Sequence, residues 1–410
     1  MSTSSAGALR FALATVFLGT VGIGIISPVV PFLVQPYVRD PAQLAPIVGL
    51  LTSAYALCQF IAAPGLGALS DRFGRRPVLL ICLLGSAIGY LLFGIGGALW
   101  VLFLGRIIDG LTGGNISTLF VYIADITRPQ ERGAAFGKLG AAAGLGFMFG
   151  PMIGGLASNL GYSAPLYVGA ALTAANLLWG LFAMPESLAP AQRADRISPA
   201  QLNPLRQIAD VIALPGLGWL LLATLLYSLP FAIVQSNLSL YVSDVLGWGP
   251  ALIGGIFFLV GVQDIVTQGL LLQRLLPRFG ERGVAIGGLL AETGGYALIA
   301  AAALRGDASL LVAGAVLFGF GDALLGPSLG GLMSRLVGPR AQGKLHGGSQ
   351  SLQALGRVLG PLLGGYLYGV SRSAPYLVGA ALALLALAAV VWSKREDLVV
   401  QQPEVGGSRR

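Results

Sequence analysis

Twelve apolar runs, each long enough to cross a bilayer, divide this 410-residue chain. They fall at about 11–35, 46–70, 78–98, 100–125, 133–157, 163–184, 215–240, 250–273, 284–304, 309–335, 344–368 and 375–393. A run of roughly 20 apolar residues matches the thickness of a hydrocarbon core. In lipid every backbone polar group must be satisfied internally, so only helices and closed barrels span. Barrel strands would alternate apolar and polar residues in segments of about ten. That alternation is absent, so the expected fold class is all-α, a polytopic membrane protein of twelve helices. Charged residues are only 10% of the chain, against about 25% in an average soluble protein. The first run has no small-residue cleavage site and is read as a retained span rather than a signal peptide.

Placement of the basic residues orients the bundle. With the N-terminus in the cytoplasm, 20 of the 25 lysines and arginines fall inside. Only Arg39, Arg305 and Arg372 fall outside, while Arg106 and Arg357 lie within spans. Cytoplasmic loops of membrane proteins carry such an excess. A miscounted helix would invert every later loop and destroy the pattern. Both termini and the linker are therefore expected in the cytoplasm, with the chain in the cell's inner membrane.

The chain is also a repeat. Gly150-Pro151-x-x-Gly154-Gly155 in span 5 recurs as Gly360-Pro361-x-x-Gly364-Gly365 in span 11, offset by 210. Ser163-Ala164-Pro165 recurs as Ser373-Ala374-Pro375 at the same offset, and Arg72-Phe73-Gly74 recurs as Arg278-Phe279-Gly280. The expected organisation is a six-helix bundle over 1–186, a cytoplasmic linker over 187–214, a second six-helix bundle over 215–395 and a tail over 396–410. Two parallel repeats are a transporter layout, with the substrate between the halves near the midplane. Within the linker, Pro204–Ile212 reads as a short amphipathic helix on the cytoplasmic surface.

Several classes of function are disfavoured. Cys58 and Cys82 both sit in apolar runs, and His346 is the single histidine, so neither a disulfide framework nor a metal site is expected. No G-x-x-x-x-G-K-[ST] stretch is present, which argues against an ATP-driven pump. No hydrophilic region is large enough for an enzyme. Gly110, Gly113 and Gly114 lie inside span 4 and read as packing residues rather than a dinucleotide site. No cofactor and no nucleic acid are expected, and the molecule is expected as a monomer.

The stretch Gly67-Ala68-Leu69-Ser70-Asp71-Arg72-Phe73-Gly74-Arg75-Arg76-Pro77 resembles the loop 2–3 signature of the major facilitator superfamily. Gly144 to Gly155 resembles the span 5 signature of its drug:proton antiporters, and Arg106-x-x-Asp109-Gly110-x-x-Gly113-Gly114 looks like the span 4 signature. Pro185-Glu186-Ser187 closes the first half as in that branch. Stretches around Val21–Ile26, Tyr55–Phe60, Tyr122–Thr127 and Ala291–Tyr296 are similar to the tetracycline-efflux group. The resemblance covers nearly the whole chain and implies a twelve-span antiporter. It does not carry tetracycline with it. Gly19 and Gly89 stand where that group has aspartates, Asp264 where it has a histidine, and Glu292 where it has an aspartate.

Charges inside lipid cost about 2.5–3.5 kcal/mol each on insertion scales, so each needs a reason. The candidates for proton coupling are Arg106 with Asp109, Asp264, Glu292, Asp322 and Arg357. Arg106 and Asp109 share a helix face and form either a titrating unit or a permanent pair. Asp264, beside Gln263 and one turn before Gln268, is either a proton carrier or a polar anchor. Arg357 could face Asp322 across spans 10 and 11, as gate or as glue. A conformational latch is expected from Gly67, Asp71, Arg72, Gly74, Arg75, Arg76 and Asp125. In it Asp71 would meet the N-terminus of span 11, and Asp125 one of the arginines, in the outward-facing state. Gly146, Gly150, Pro151, Gly154 and Gly155 are expected to pack span 5 closely. The substrate cavity is expected to draw on Tyr55, Gln59, Asn115, Tyr227, Gln235, Asn237, Gln350 and Gln353, with Tyr122 and Asn176 as further candidates.

These readings converge on a proton-coupled exporter of amphipathic or lipophilic small molecules, with protons and the bilayer as its other partners. A lipid or lysolipid flippase, an exporter of one metabolite, and a transport-dead receptor are the alternatives.

Overall fold

The computed structural model describes residues 3–197, 202–338 and 341–393. The first two residues, part of the linker, Arg340 and the tail from Lys394 onward lie outside the described residues, as does the side chain of Asn115. Among the described residues the chain is helical and has no strand.

Six crossings form each half. The first half holds span 1 (Thr3–Ile26), span 2 (Leu44–Phe73), span 3 (Arg75–Ile95), span 4, span 5 (Arg132–Ala157) and span 6 (Ala164–Ala183). Span 4 is two pieces, Leu99–Thr112 and Asn115–Ile126. The second half holds span 7 (Gly218–Leu246), span 8 (Pro250–Val266), span 9, span 10 (Ala308–Leu336), span 11 (Gln342–Val370) and span 12 (Ala374–Trp392). Span 8 runs through a π turn, Thr267–Leu271, into the helix Leu272–Arg305, whose later part is span 9. Among the described residues, nine helical stretches can cross a membrane by length and apolarity alone. The other crossings escape that criterion for plain reasons: spans 8 and 9 run on as one stretch, Pro250–Arg305, span 4 is broken, and span 11 carries glutamines and Arg357 among its apolar residues.

Span 2 turns into span 3, and span 8 into span 9, at equivalent glycines. Gly74 has φ of 106° and Gly280 of 66°, a region that L side chains enter only at a cost. Between the halves, the linker helix Pro204–Ile212 forms over the expected residues. The Asn203 side chain accepts from Leu205 N–H at 3.0 Å and starts it. Its buried Val211 seats on Gly348 of span 11, and Gln207 accepts from the Ser351 hydroxyl at 2.9 Å. Val211 is thus held by the second half, while Leu205 and Ile212 on the same helix stay exposed.

Glycine sets how closely the helices approach. On span 5, Gly146, Gly150 and Gly154 press against the backbone of span 1 at Phe17, Val21 and Ile25. On span 11, Gly356, Gly360 and Gly364 press against Ser228, Ala232 and Asn237 of span 7. The same symmetry governs contacts between halves. A Cβ on Gly155 would lie 2.5 Å from Pro250 O of span 8, and one on Gly365 would lie 2.6 Å from Ala45 O of span 2. Gly254 meets Pro151, and Gly49 meets Pro361. Ser53 donates to Val358 O and Ser239 donates to Ser27 O, each at 2.7 Å. All of these contacts lie toward the end of the bundle opposite the linker. Toward the linker end, a Cβ on Gly67, Gly137, Gly140, Gly144 or Gly269 would meet nothing within 4 Å. The contacts between the halves thus gather at one end, and a cavity opens toward the other.

Candidate functional site

Within the spans of the first half, Arg106 and Asp109 form a buried ion pair. Arg106 Nη1 donates to Asp109 Oδ2 at 3.5 Å, with both side chains almost fully buried. The guanidinium lies 4.1 Å over the Tyr55 ring and 5.7 Å from that of Phe93. Gly89 explains why the pair fits: a Cβ there would come within 2.7 Å of Asp109 Cβ and 2.8 Å of Gly105 O. An aspartate at 89, as in the tetracycline-efflux group, has no room in this packing. Gly19 differs, since a Cβ there meets nothing within 4 Å. It lines a small cavity of about 30 Å³ with Asp109, Tyr55, Ser86, Tyr90 and Asn176, enough for about one water molecule. Asn176 is tied to Thr15 at 3.2 Å. Tyr122 is fully buried and donates to Pro185 O at 3.1 Å, so it serves packing.

Gln59 donates to Gly113 O at 3.0 Å. This satisfies a carbonyl freed where span 4 breaks, while Thr112 folds back onto Ile108 O at 2.8 Å. The break at Gly113-Gly114 answers to no packing need visible in the residue pattern. Gly113 itself sits 3.0 Å, counted from an added Cβ, from the Tyr55 hydroxyl, so the break lies directly beside the Arg106–Tyr55 stack.

In the second half three acids gather. Glu292 is fully buried, and neither carboxylate oxygen has a hydrogen-bond partner. It packs on Gly321, where an added Cβ would touch its Cγ at 3.0 Å. It interacts electrostatically with Asp322, which in turn feels Asp264. Asp264 accepts from Gln268 Nε2 at 2.8 Å, just before the π turn. Such turns are frequent at functional sites. Gln263 donates to Val316 O of span 10 at 2.6 Å. The expected meeting of Arg357 with Asp322 is not made. No ion pair joins them, and Arg357 instead interacts with Tyr55 of one half and Tyr227 of the other. Asp322 interacts with Asp264 of span 8, Glu292 of span 9 and Tyr227 of span 7 instead, an arrangement set by helix rotation, which residue spacing does not fix.

A cavity of about 440 Å³ opens in the second half toward the linker end. Tyr227, Ser334, His346, Ser349, Gln350 and Gln353 are among the residues that line it. Of the expected cavity residues, Tyr227, Gln350 and Gln353 are here. Tyr55 lies in the small cavity with Asp109. Asn237 lines neither: it is fully enclosed, with its amide against Gly364. Gln235 is half-buried on span 7 and lines neither cavity.

At the linker end, loop 2–3 folds onto its own half. Arg75 is buried and pairs with Asp71 at 2.5 Å and with Asp125 at 3.2 Å. Arg72 stays exposed over the Phe73 ring. Arg76 donates to Leu181 O at 2.5 Å. The expected contact of Asp71 with the start of span 11 is absent, because the halves are parted here. Asp71 O accepts from Ala194 N–H at 3.0 Å instead. Glu186 was not singled out as a site residue, yet it caps span 3. Its carboxylate accepts from the N–H groups of Arg75 (2.9 Å), Arg76 (3.3 Å), Ser187 (3.0 Å) and Leu188 (3.1 Å). The Pro185-Glu186-Ser187 stretch was the available signal. In the second half, Glu281 at the start of span 9 pairs with Arg335 at the end of span 10, the charges exchanged relative to Arg75 and Asp125.

Two helical halves built on one repeat, sealed at one end and parted over a cavity at the other, with buried charge in each half, match known proteins closely. The model of the Major Facilitator Superfamily fits residues 12–270 and again 220–408. The chain is 35% identical to the class C tetracycline resistance protein of Escherichia coli over 397 residues, covering 95% of this chain and 98% of that protein. It is 26% identical to multidrug resistance protein 2 of Bacillus subtilis, covering 94% and 95%. The crystal structure of the human organic anion transporter MFSD10 superposes with a TM-score of 0.71 at 25% identity, covering 94% of this chain and 99% of that one. The repeat, the parted halves and these matches lead to one conclusion: the chain belongs to the Major Facilitator Superfamily, a family of multi-pass membrane transporters.

Proposed function

We propose that the protein is a proton-coupled antiporter that exports amphipathic or lipophilic small molecules by alternating access. One observation carries the reading: a cavity in the second half, toward the linker end, lies in a bundle holding buried carboxylates in each half. Similarity over almost the full length to tetracycline and multidrug resistance proteins supports export. The excess of arginine and lysine at the linker end supports placing that end in the cytoplasm, with the chain in the cell's inner membrane. The structure is then the cytoplasm-open state, ready to load.

The proton path uses Asp109, Asp264, Glu292 and Asp322. A carboxylate in a dry site costs less when neutral, so each can carry a proton when the site closes. Arg106 offsets the charge on Asp109 when the proton leaves. Loop 2–3, through Arg75, Asp71, Asp125 and Glu186, forms a rigid latch that would meet the second half when the linker end closes. The 1–186 and 215–395 bundles move as the two rocking bodies around the 187–214 linker. The molecule works as a monomer, since one chain holds both six-helix halves.

Inside-out membrane vesicles with an imposed acid interior test the reading. A panel of amphipathic dyes, anionic, neutral and cationic, should include at least one that accumulates. Accumulation should stop with nigericin and in the Asp109→Asn variant. Accumulation that ignores the gradient, or none across the panel, would overturn the reading.

A further inference from the structure

We infer that Arg357 is an anion-recognition residue at the head of the cavity, and that the substrates carried best bear a carboxylate or similar acidic group. The inference rests on the exporter reading and names its substrate class.

The geometry comes from span 11. Gln350 and Gln353 line the cavity, and Arg357 lies one turn beyond Gln353, on the same helix face. Its neighbours in sequence are committed elsewhere: Gly356 packs on Ser228 of span 7, and Val358 O accepts from Ser53 of span 2. Arg357 therefore stands where both halves meet, with Tyr55 from one side and Tyr227 from the other in electrostatic reach. Tyr227 itself lines the cavity. Among the described residues no carboxylate lies within ion-pair distance of Arg357. The two intramembrane arginines thus differ: Arg106 is neutralised by Asp109, and Arg357 has no such partner. An unpaired guanidinium in a bilayer is costly unless something compensates it.

The cavity wall fits an anion. Its lining includes tyrosine, serine, threonine, glutamine and histidine side chains but no aspartate or glutamate. Asp322 is the nearest concern, since it lies one turn beyond the lining residue Gly326 on span 10. It interacts electrostatically with Asp264 and Glu292 and also with the lining residue Tyr227, so it flanks this site without forming an ion pair with Arg357. A guanidinium holds a carboxylate through two parallel N–H donors, which a lysine cannot reproduce. The apolar remainder of the substrate would lie along Pro327, Leu329 and Met333.

The test uses one ring system with different heads: 1-pyrenebutyrate, 1-pyrenebutanol and 1-pyrenemethylammonium. Binding to the full-length protein in nanodiscs is read by fluorescence, with empty nanodiscs as the blank. The butyrate should bind at least tenfold tighter than the alcohol, and the ammonium weakest. Arg357→Gln should remove that preference for the butyrate while leaving alcohol binding within twofold. Arg357→Lys should restore part of it. Butyrate preference that survives Arg357→Gln, or equal binding of all three heads by the wild type, would overturn the inference. If Arg357 served only to balance Asp322, the double variant Arg357→Gln/Asp322→Asn would regain butyrate binding; regained binding contradicts the inference and continued loss supports it. pH-driven accumulation of pyrenemethylammonium alone would sink the anion inference and leave the exporter reading standing.

Discussion

At the scale of single residues, one glycine helps to place a buried charge. Gly89 lets span 4 approach so that Asp109 lies against span 3. Gly89→Ala should cost about 1–3 kcal/mol, the range for overpacking a tight site, read as a lower unfolding temperature in detergent. An unchanged midpoint would mean the spans give way easily there. Asp109→Asn leaves the Arg106 charge buried without its partner, which costs about 3–5 kcal/mol when the site is dry. Changing both, Arg106→Gln with Asp109→Asn, should recover most of that stability and none of the transport. Recovered transport would show the pair to be structural. Asp264→Asn should suppress proton-driven efflux more than dye binding, because its hydrogen-bond partner is the neutral Gln268; undiminished antiport would reassign it to structure.

How much of the site was legible depended on what residue spacing can encode. Arg106 and Asp109 lie on one helix, so their pairing followed from a three-residue offset. Arg357 and Asp322 lie on different helices, and their mutual orientation depends on how each helix is rotated by packing. Gln59 read as a cavity residue because nothing in Gly113-Gly114 distinguishes a chain break from close helix packing. Asp71 read as a partner of span 11 because its partner depends on which end of the molecule is closed.

At the scale of elements, the loop between spans 2 and 3 behaves as one rigid piece. Gly74 at a φ of 106° turns the chain, Arg75 ties the turn to Asp71 and Asp125, and Glu186 fastens the start of span 3. Gly74→Ala would force a side chain into that backbone region, at about 1–3 kcal/mol, and would also strike the Glu186 carboxylate. Asp71→Asn is gentler. Its carboxylate is half-exposed here, so its pair with Arg75 contributes little. A contact with the N-terminus of span 11 in the closed state would be worth about 0.3–1 kcal/mol, and up to about 2 if partly buried. At about tenfold per 1.4 kcal/mol, losing it shifts the balance toward the cytoplasm-open state by roughly two- to thirtyfold. The variant should reach the membrane in normal amount, bind dye and transport poorly. Normal transport would remove Asp71 from the latch. The helical crossings were legible because apolar length and basic loops report them directly. The π turn after Asp264 was not, since it depends on hydrogen-bond slippage that no residue type announces.

At the scale of the whole molecule, the two halves touch through glycine-lined crossings, span 5 on span 8 and span 2 on span 11, that gather toward the end opposite the linker. A transporter that alternates must release these contacts while closing the other end. The repeat at an offset of 210 residues made this symmetry readable in advance, because Gly155 and Gly365 stand at equivalent places. The state of the molecule was not readable, because both states use the same residues. Distances between spin labels follow the exchange directly. One pair, at Arg128 and Gly338, would report the linker end, and another, at Leu160 and Leu252, the opposite end, with Cys58 and Cys82 changed to alanine. Between conditions of low pH without dye and neutral pH with it, alternating access predicts that one distance shortens as the other lengthens. Two distances that stay fixed, or that change in the same direction, would contradict it.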